Sequence, residues 1–121
     1  MASVEVGDER LTVAVAETSP QRRQGLRGLD ELPDGIDGML FVYSDPRSAS
    51  FNMRTVGLDL DIWWFDESAE LMGSASMSTC LEGGCVSYRS PGEIGWALET
   101  AAGVFDFVPG ELLSFPDRAP G

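Results

Sequence analysis

The sequence predicts an all-β domain, a compact and mainly antiparallel β-sandwich or partly open barrel with one or two short helices. Three observations predict this class. Several short apolar segments alternate at period two, which is the spacing of side chains on one face of a strand. Turns that contain glycine, proline or polar residues separate these segments. Little of the chain shows the helical period, so a sheet must provide most of the core.

The composition describes one acidic domain. The 121 residues include 20 acidic and 8 basic side chains, and the net charge is −12. By length we expect a single domain at 1–121, with an ordered core at about 3–115 and a frayed tail at about 116–121. The charge argues against nucleic acid and against an anionic membrane as partners. We interpret it as a source of solubility in a salt-rich cell, and the oligomeric state stays open.

Histidine is absent from the chain, which excludes a Ser-His-Asp triad, a histidine base and a histidine metal ligand. We expect no cofactor and no metal. The first residues lack the features of a signal peptide, and no segment approaches the ~20 apolar residues of a membrane-spanning helix. We therefore expect a cytoplasmic protein, or an extracytoplasmic one if a leader has been trimmed.

The N-terminal third predicts two strands and a short helix. Strands at 3–6 and 11–17 flank a polar turn. Thr18 or Ser19 then caps a helix that has Pro20 in its first turn and is interrupted by two glycines. Three arginines concentrate positive charge on this helix, and we interpret them as a solvated face in preference to an anion site: Arg22, Arg23 and Arg27.

The segment 51–66 is the densest apolar and aromatic run, and we expect the rest of the chain to be organised around it. A strand at 38–43 and a loop at 44–50 precede it. Within the run, both faces of 58–65 are apolar, which predicts a strand covered on both sides. Gly57 suggests a hairpin turn between this strand and 51–56.

In that hairpin, Arg54 lies opposite Asp61 and the two side chains form a charged pair on one face. A buried pair of this kind is more often structural than catalytic, and it is weak evidence for stability. It can also mark a site, because buried charges are costly.

After the core run we expect a strand at 70–78, a loop at 80–90 and a strand at 93–99. A short helix at 101–107 and a closing strand at 110–115 complete the chain. Cys80 and Cys85 enclose four residues, so a disulfide is sterically possible. Two free thiols are the default in a reducing cytosol, and a metal or catalytic role is a weaker alternative without histidine.

Several blocks, taken in order, resemble the domain of unknown function 192 family. They begin with Gly25-Leu26 and the segment 38–41. The later matches are Phe51, Met53, Arg54, Leu60, Asp61, Asp66, Cys80, Cys85, Tyr88, Ser90, Leu98, Glu99, Ala102 and Gly103. The resemblance implies a compact β-sandwich-like domain and no established activity. Asn52, Thr55, Val56, Asp59 and Thr79 depart from the family pattern.

We expect a binding module for a small polar ligand such as a carbohydrate, because aromatic platforms with a few polar groups suit such ligands. The predicted polar contacts are Arg54, Asp61 and Glu99, with aromatic rings from Phe51, Trp63, Trp64 and Tyr88. At least two of these rings are expected to belong to the core. No catalytic residue is assigned.

Three alternatives stay open. A hydrolase would use Asp61 and Glu99 as a carboxylate pair in one cleft. An interaction domain would expose an aromatic patch to a protein partner. A hard-cation site would combine Asp59 and Asp61 with Asp66, although strand alternation places Asp66 on the opposite face.

Overall fold

A computed structural model describes residues 1–80 and 83–116. Of the tail expected to be frayed, 117–121 therefore lies outside the described residues. The described elements follow in chain order: β1 (Ala2–Val6), β2 (Glu9–Ala16), α1 (Ser19–Gln24), β3 (Gly38–Arg47), β4 (Ser50–Phe51), β5 (Leu60–Phe65), β6 (Leu71–Met77), β7 (Tyr88–Arg89), β8 (Ile94–Ala101) and β9 (Leu113–Ser114).

Seven of these strands form one curled sheet in the order β6-β5-β8-β3-β2-β1-β9, a half-barrel, while β4 and β7 pair separately. The all-β prediction is confirmed. Neighbouring strands are antiparallel except β2 and β3, which run parallel. A parallel pair needs a crossover connection, and α1 lies in the segment that joins these two strands.

Helix α1 begins where the sequence places its cap. The Thr18 hydroxyl accepts a hydrogen bond from the backbone N–H of Gln21, and the Gln21 side chain accepts one from the Thr18 N–H. This reciprocal capping box satisfies two otherwise unpaired donors. The helix ends at Gly25, whose φ of 47° lies in the left-handed region that favours glycine. The predicted helix therefore has the right start and ends earlier than expected.

The sheet is buried on both sides, as the apolar run in β5 predicts. We call the side covered by α1 the helix face. Phe41, Ile62 and Trp64 pack there in one cluster. Leu40 and Trp63 pack on the opposite face in the other cluster. The two clusters alternate along each central strand because successive side chains point to opposite faces.

The hairpin predicted around Gly57 is wrong. Both edges of β5 are already taken by β6 and β8, so no edge remains for 51–56. Only Ser50–Phe51 is a strand there, and it pairs with β7. The backbone then turns at Thr55, whose φ is 58°, and the Gly57 N–H donates to the Leu29 carbonyl. The segment is therefore tied to the turn after α1.

Two further predictions about the elements differ from the structure: the end of one strand and the existence of one helix. Strand β3 continues to Arg47 through most of the predicted loop at 44–50, with an irregular register against β8. The predicted helix at 101–107 is wrong. After β8 the chain turns at Gly103, with a φ of 79°, and Phe107 then packs its ring against Trp63 with centroids 4.8 Å apart. Ring packing in the core outweighs the weak helical pattern.

No helix among the described residues has the length and apolar character needed to cross a bilayer.

The closest backbone approach in the centre of the sheet occurs at Gly38, where a Cβ atom would overlap the carbonyl oxygen of Glu99. We expect Gly38→Ala to cost about 1–3 kcal/mol of unfolding free energy, because β3 and β8 cannot separate without losing their pairing. Gly73→Ala in β6 is the control, since its nearest new neighbour would be the Pro91 side chain at 3.3 Å. Urea unfolding of both variants checks this, and equal losses would contradict it.

Candidate functional site

The residues predicted to form one ligand site are not assembled into one pocket. Asp61 and Trp63 lie on the face of the sheet opposite the helix face. Asp61 pairs with Thr100 across β5 and β8, whereas Ile62, on the helix face, pairs with Glu99. The Asp61 carboxylate accepts hydrogen bonds from the Gly103 N–H (2.9 Å) and the Ser76 hydroxyl (3.2 Å). The Trp63 indole N–H donates to the Thr100 hydroxyl at 3.0 Å. Both side chains thus hold the turn and the core.

The other predicted contacts lie elsewhere. Arg54 is exposed in the turn after β4 and lines a small cavity beside the disulfide. The predicted pairing of Arg54 with Asp61 is therefore wrong. The Tyr88 hydroxyl accepts a weak hydrogen bond from the Ser78 N–H at 3.4 Å, and its ring pairs across strands with Phe51. Trp64 is buried in the core of the helix face.

The carboxylate pair suggested for a hydrolase is also wrong. Glu99 lies opposite Ile62 in the register of β5 and β8, whereas Asp61 lies opposite Thr100. Residues one step apart in register face opposite sides of a sheet. The two carboxyl groups therefore cannot share one cleft.

The remaining alternatives gain no support from the described residues. The exposed large apolar side chains of this part of the chain are aliphatic, with no aromatic ring among them. Asp59 accepts from the Thr79 N–H, and Asp66 accepts from the N–H groups of Ser68 and Glu70. Within the described ranges, no three His, Cys, Asp or Glu side chains form a group that could hold a metal ion.

Cys80 and Cys85 form a disulfide, which is one of the three outcomes weighed for this pair. The bond closes the segment between β6 and β7, next to the turn that carries Arg54. Cys80 is partly buried against the cluster on the helix face. The disulfide therefore fixes one border of that cluster.

The predicted contacts are divided among four cavities. Asp61 and Trp63 line one of about 360 Å³ on the opposite face, Arg54 and Tyr88 line two others, and Glu99 and Phe51 line a helix-side cavity. This helix-side cavity has a volume of about 300 Å³ and lies between α1, β3 and β4. Its apolar lining comes from Leu26, Phe41, Phe51 and Val56. Its polar lining comes from Ser19, Arg22, Arg23, Gln24, Arg27, Tyr43, Arg47, Ser50, Asn52 and Glu99.

Glu99 is the unusual group in this lining. It belongs to β8 in the middle of the sheet and is only 5% exposed. No ion pair or side-chain hydrogen bond involves its carboxyl group among the described residues, where Arg10 and Glu5 form the one ion pair. Burial raises the pKa of the Glu99 carboxyl to about 8, because a charged carboxylate is disfavoured away from water. At neutral pH this acid is mainly protonated and offers one O–H donor.

Tyr43 and its flanking arginines form the polar wall of the cavity. The guanidinium carbon of Arg22 lies 4.9 Å from the centroid of the Tyr43 ring, and that of Arg47 lies 5.5 Å from it. Burial raises the pKa of Tyr43 to about 12; the two guanidinium groups oppose this rise and Glu99 adds to it. The hydroxyl therefore stays protonated, and the ring is held by cation–π contacts.

Sequence reasoning missed most of this cavity. It named Glu99 and Phe51, and it treated the arginines of α1 as a solvated face. Tyr43 and Arg47 were missed because they lie beyond or at the end of a predicted short strand, and β3 in fact runs through Arg47. The one feature of the sequence that could have indicated this cavity was the cluster of three arginines in the segment between β2 and β3.

A second cavity of about 480 Å³ lies on the opposite face, lined mainly by apolar side chains that include Val15, Leu40 and Trp96. Its ionisable lining side chain, Glu17, is exposed. The helix-side cavity is therefore the candidate site, because it combines a buried ionisable group with convergent polar side chains.

The raised pKa of Glu99 makes stability depend on pH. Between its ordinary value of 4.5 and about 8, the folded chain holds a proton that the unfolded chain lacks. The wild type therefore loses stability relative to Glu99→Gln as pH rises, by at most about 1.4 kcal/mol per pH unit. Urea unfolding at about pH 5, 7 and 9 measures the difference. Glu93→Gln, at an exposed position, serves as control, and a pH-independent difference for Glu99→Gln contradicts the assignment.

The disulfide closes a short segment, with a sequence separation of 5. Loop-closure entropy gives such a bond about 2 kcal/mol of stabilisation. We expect the double variant Cys80→Ser, Cys85→Ser to lose this amount in urea unfolding. A reducing agent should destabilise the wild type equally and leave the double variant unchanged. Identical wild-type curves with and without reductant would show that the bond contributes nothing.

Comparison with known proteins relates the chain to a family and to two solved structures. Residues 2–114 match the profile of DUF192, a family described as "Uncharacterized ACR". The fold is similar to that of a protein from Sinorhizobium meliloti described as a "putative transcription regulator", with a TM-score of 0.83 and 23% identity over 94% of this chain and 92% of that one.

It is also similar to a protein of unknown function from Novosphingobium aromaticivorans, with a TM-score of 0.81 and 24% identity over 93% of this chain and 84% of that one. At these identities the likeness concerns the fold alone. A search of curated proteins found no match. Because the family profile spans residues 2–114, the chain belongs to the DUF192 family.

Proposed function

We propose that this domain is a binding module for a small polar ligand, which occupies the helix-side cavity. The observation that supports this most is the Glu99 carboxyl group, which lines the cavity, is 5% exposed and has no side-chain partner among the described residues. A polar group with little exposure to water and no hydrogen bond is destabilising, by up to about 1–3 kcal/mol when it is fully buried. A ligand that offers a hydrogen-bond acceptor would remove that cost.

The lining suits a ligand with both polar and apolar surface. Phe41 and Phe51 pack edge to face with ring centroids 5.5 Å apart, and both line the cavity. Aromatic walls beside a few hydroxyl, amide and carboxyl groups are typical of sites for sugars and similar molecules. The volume of about 300 Å³ is at the lower end for small-molecule pockets, which limits the ligand to roughly one ring or a short chain.

The description of the Sinorhizobium meliloti protein as a regulator raises DNA binding as a competing function. We propose that this chain has no nucleic-acid partner, because its net charge of −12 opposes the phosphate backbone. A DNA-binding surface would also require a basic stripe long enough to contact several phosphates.

A thermal-shift screen of monosaccharides, hydroxy acids and other small polar metabolites tests the proposal, since a ligand that binds only the folded state raises Tm. We expect Glu99→Leu, which removes the O–H donor, to weaken the affinity of any hit by roughly five- to tenfold, the equivalent of one hydrogen bond. Glu93→Leu, which changes an exposed acid, should bind as the wild type does.

Trp96→Ala changes the cavity on the opposite face and gives a second control. A hit whose affinity falls in Trp96→Ala and is unchanged in Glu99→Leu would place the ligand outside the helix-side cavity. Failure of the whole screen to shift Tm would also overturn the proposal.

A further inference from the structure

We propose that the ligand of the helix-side cavity is a small hydroxylated anion, with one carboxylate or phosphate group held by Arg23 and Arg47 and neutral hydroxyl groups near Glu99. This inference rests on the proposed function and names its ligand class. It comes from the distribution of charge around the cavity and from the hydrogen bonds that each arginine already makes.

Positive charge is concentrated at the cavity although the chain as a whole is strongly acidic. Acidic residues outnumber arginines 20 to 8, yet four arginines line this cavity and Glu99 is the acid in its lining. The ion pair found among the described residues joins Arg10 and Glu5, so none of the four has a carboxylate partner there. Four arginines without carboxylate partners therefore create a local positive electrostatic potential that attracts an anion, although the chain as a whole is acidic.

Two of the four arginines are occupied by the protein. Arg22 donates to the carbonyls of Glu17 and Val42, at 2.8 and 2.9 Å, and to the Ser19 hydroxyl. Arg27 donates to the Arg23 carbonyl at 2.9 Å and reaches the Asn52 amide oxygen at 3.5 Å. These contacts fix both guanidinium groups as parts of the wall.

The other two arginines keep free donors. The Arg23 side chain makes no hydrogen bond with the described residues, and Arg47 donates only its Nε–H, to the Asp45 carbonyl at 3.3 Å. A guanidinium group carries five N–H donors in a planar fork that matches a carboxylate or a phosphate. Both side chains are exposed at the cavity, so an anion reaches them without being fully desolvated.

Helix electrostatics explains only part of this cluster. Arg22 and Arg23 lie in the last turn of α1, where the helix dipole favours cations. Arg27 lies beyond the helix, and Arg47 belongs to β3. The convergence of side chains from separate elements on one cavity therefore needs another cause.

Glu99 does not neutralise this charge. It lies at a buried position in β8, more than 4.0 Å from every guanidinium nitrogen in the described residues. A protonated acid there adds no negative charge and offers a donor to a neutral oxygen atom. The cavity thus has an anion-binding wall and a hydrogen-bonding site for hydroxyl groups.

Titration calorimetry with matched probe pairs tests the ligand class: glucose against glucuronate and against glucose 6-phosphate, and galactose against galacturonate. Acetate serves as an anion without hydroxyl groups. We expect at least one charged sugar to bind tenfold or more tightly than its neutral partner, and acetate to bind weakly. The comparison of glucuronate with glucose 6-phosphate distinguishes a carboxylate ligand from a phosphate ligand.

Two charge-removing variants assign the contact. Arg23→Gln and Arg47→Gln should each weaken the charged probe about tenfold, as expected for loss of a hydrogen bond to a charged group. Raising the salt concentration should reduce the same affinity, because exposed charges are screened. Arg10→Gln, which removes an exposed arginine paired with Glu5, should have no effect.

The outcomes separate this inference from the proposed function. If neutral and charged sugars bind equally, and only Glu99→Leu weakens them, the cavity is a ligand site and the anionic class is wrong. If a charged probe binds without any effect of Glu99→Leu, Arg23→Gln or Arg47→Gln, both are wrong. Absence of binding by every probe also overturns both.

Discussion

The register of β8 between β3 and β5 is the constraint on which the rest of the structure depends. Both edges of this strand are paired, so each of its side chains is assigned to one face. Glu99 is directed to the helix face and Thr100 to the opposite face. A slip of one residue would exchange them and bury the carboxyl group in the apolar cluster around Trp63. Gly38 allows β3 to approach closely enough to hold this register.

The parallel crossover from β2 to β3 brings positive charge to the helix face, where Glu99 lies. It carries α1 over the helix face, and the capping box at Thr18 fixes where the helix begins. Arg22 then bonds the Val42 carbonyl and stacks on Tyr43. These contacts hold Arg22 of α1 against β3, the strand that provides Tyr43 to the polar wall of the cavity. The cavity is thus a consequence of the fold, and its buried acid lowers stability above neutral pH.

The fold class could be predicted from the sequence because it depends on local patterns. Alternation at period two identified most strands, and Thr18 identified the start of α1. Pairing partners could not be predicted. The hairpin at Gly57 satisfied every local rule, yet β5 pairs with the next strand, β6, and with β8, which is distant in sequence. The same applies to 101–107, where packing of Phe107 on Trp63 outweighs a weak local preference.

The site was predictable only in part for the same reason. Glu99 was named from a motif, but Tyr43, Arg22 and Arg47, which line the same cavity, come from segments that meet only in the folded chain. Asp61 was named because the predicted hairpin placed it opposite Arg54, and the hydrolase alternative required it to share a cleft with Glu99. Strand register separates them, and register depends on pairings between residues far apart in sequence.

The protonation state of the Glu99 carboxyl group is the property on which the proposed site depends most directly. Site-resolved ¹³C NMR of the side-chain carboxyl carbons, with Glu99→Gln used to assign the resonance, measures its titration in the ligand-free protein. We expect a midpoint near pH 8, since burial raises the pKa of this group to about 8. A midpoint close to the ordinary value of 4.5 would show a solvated or paired carboxylate and would contradict the proposed state of the site.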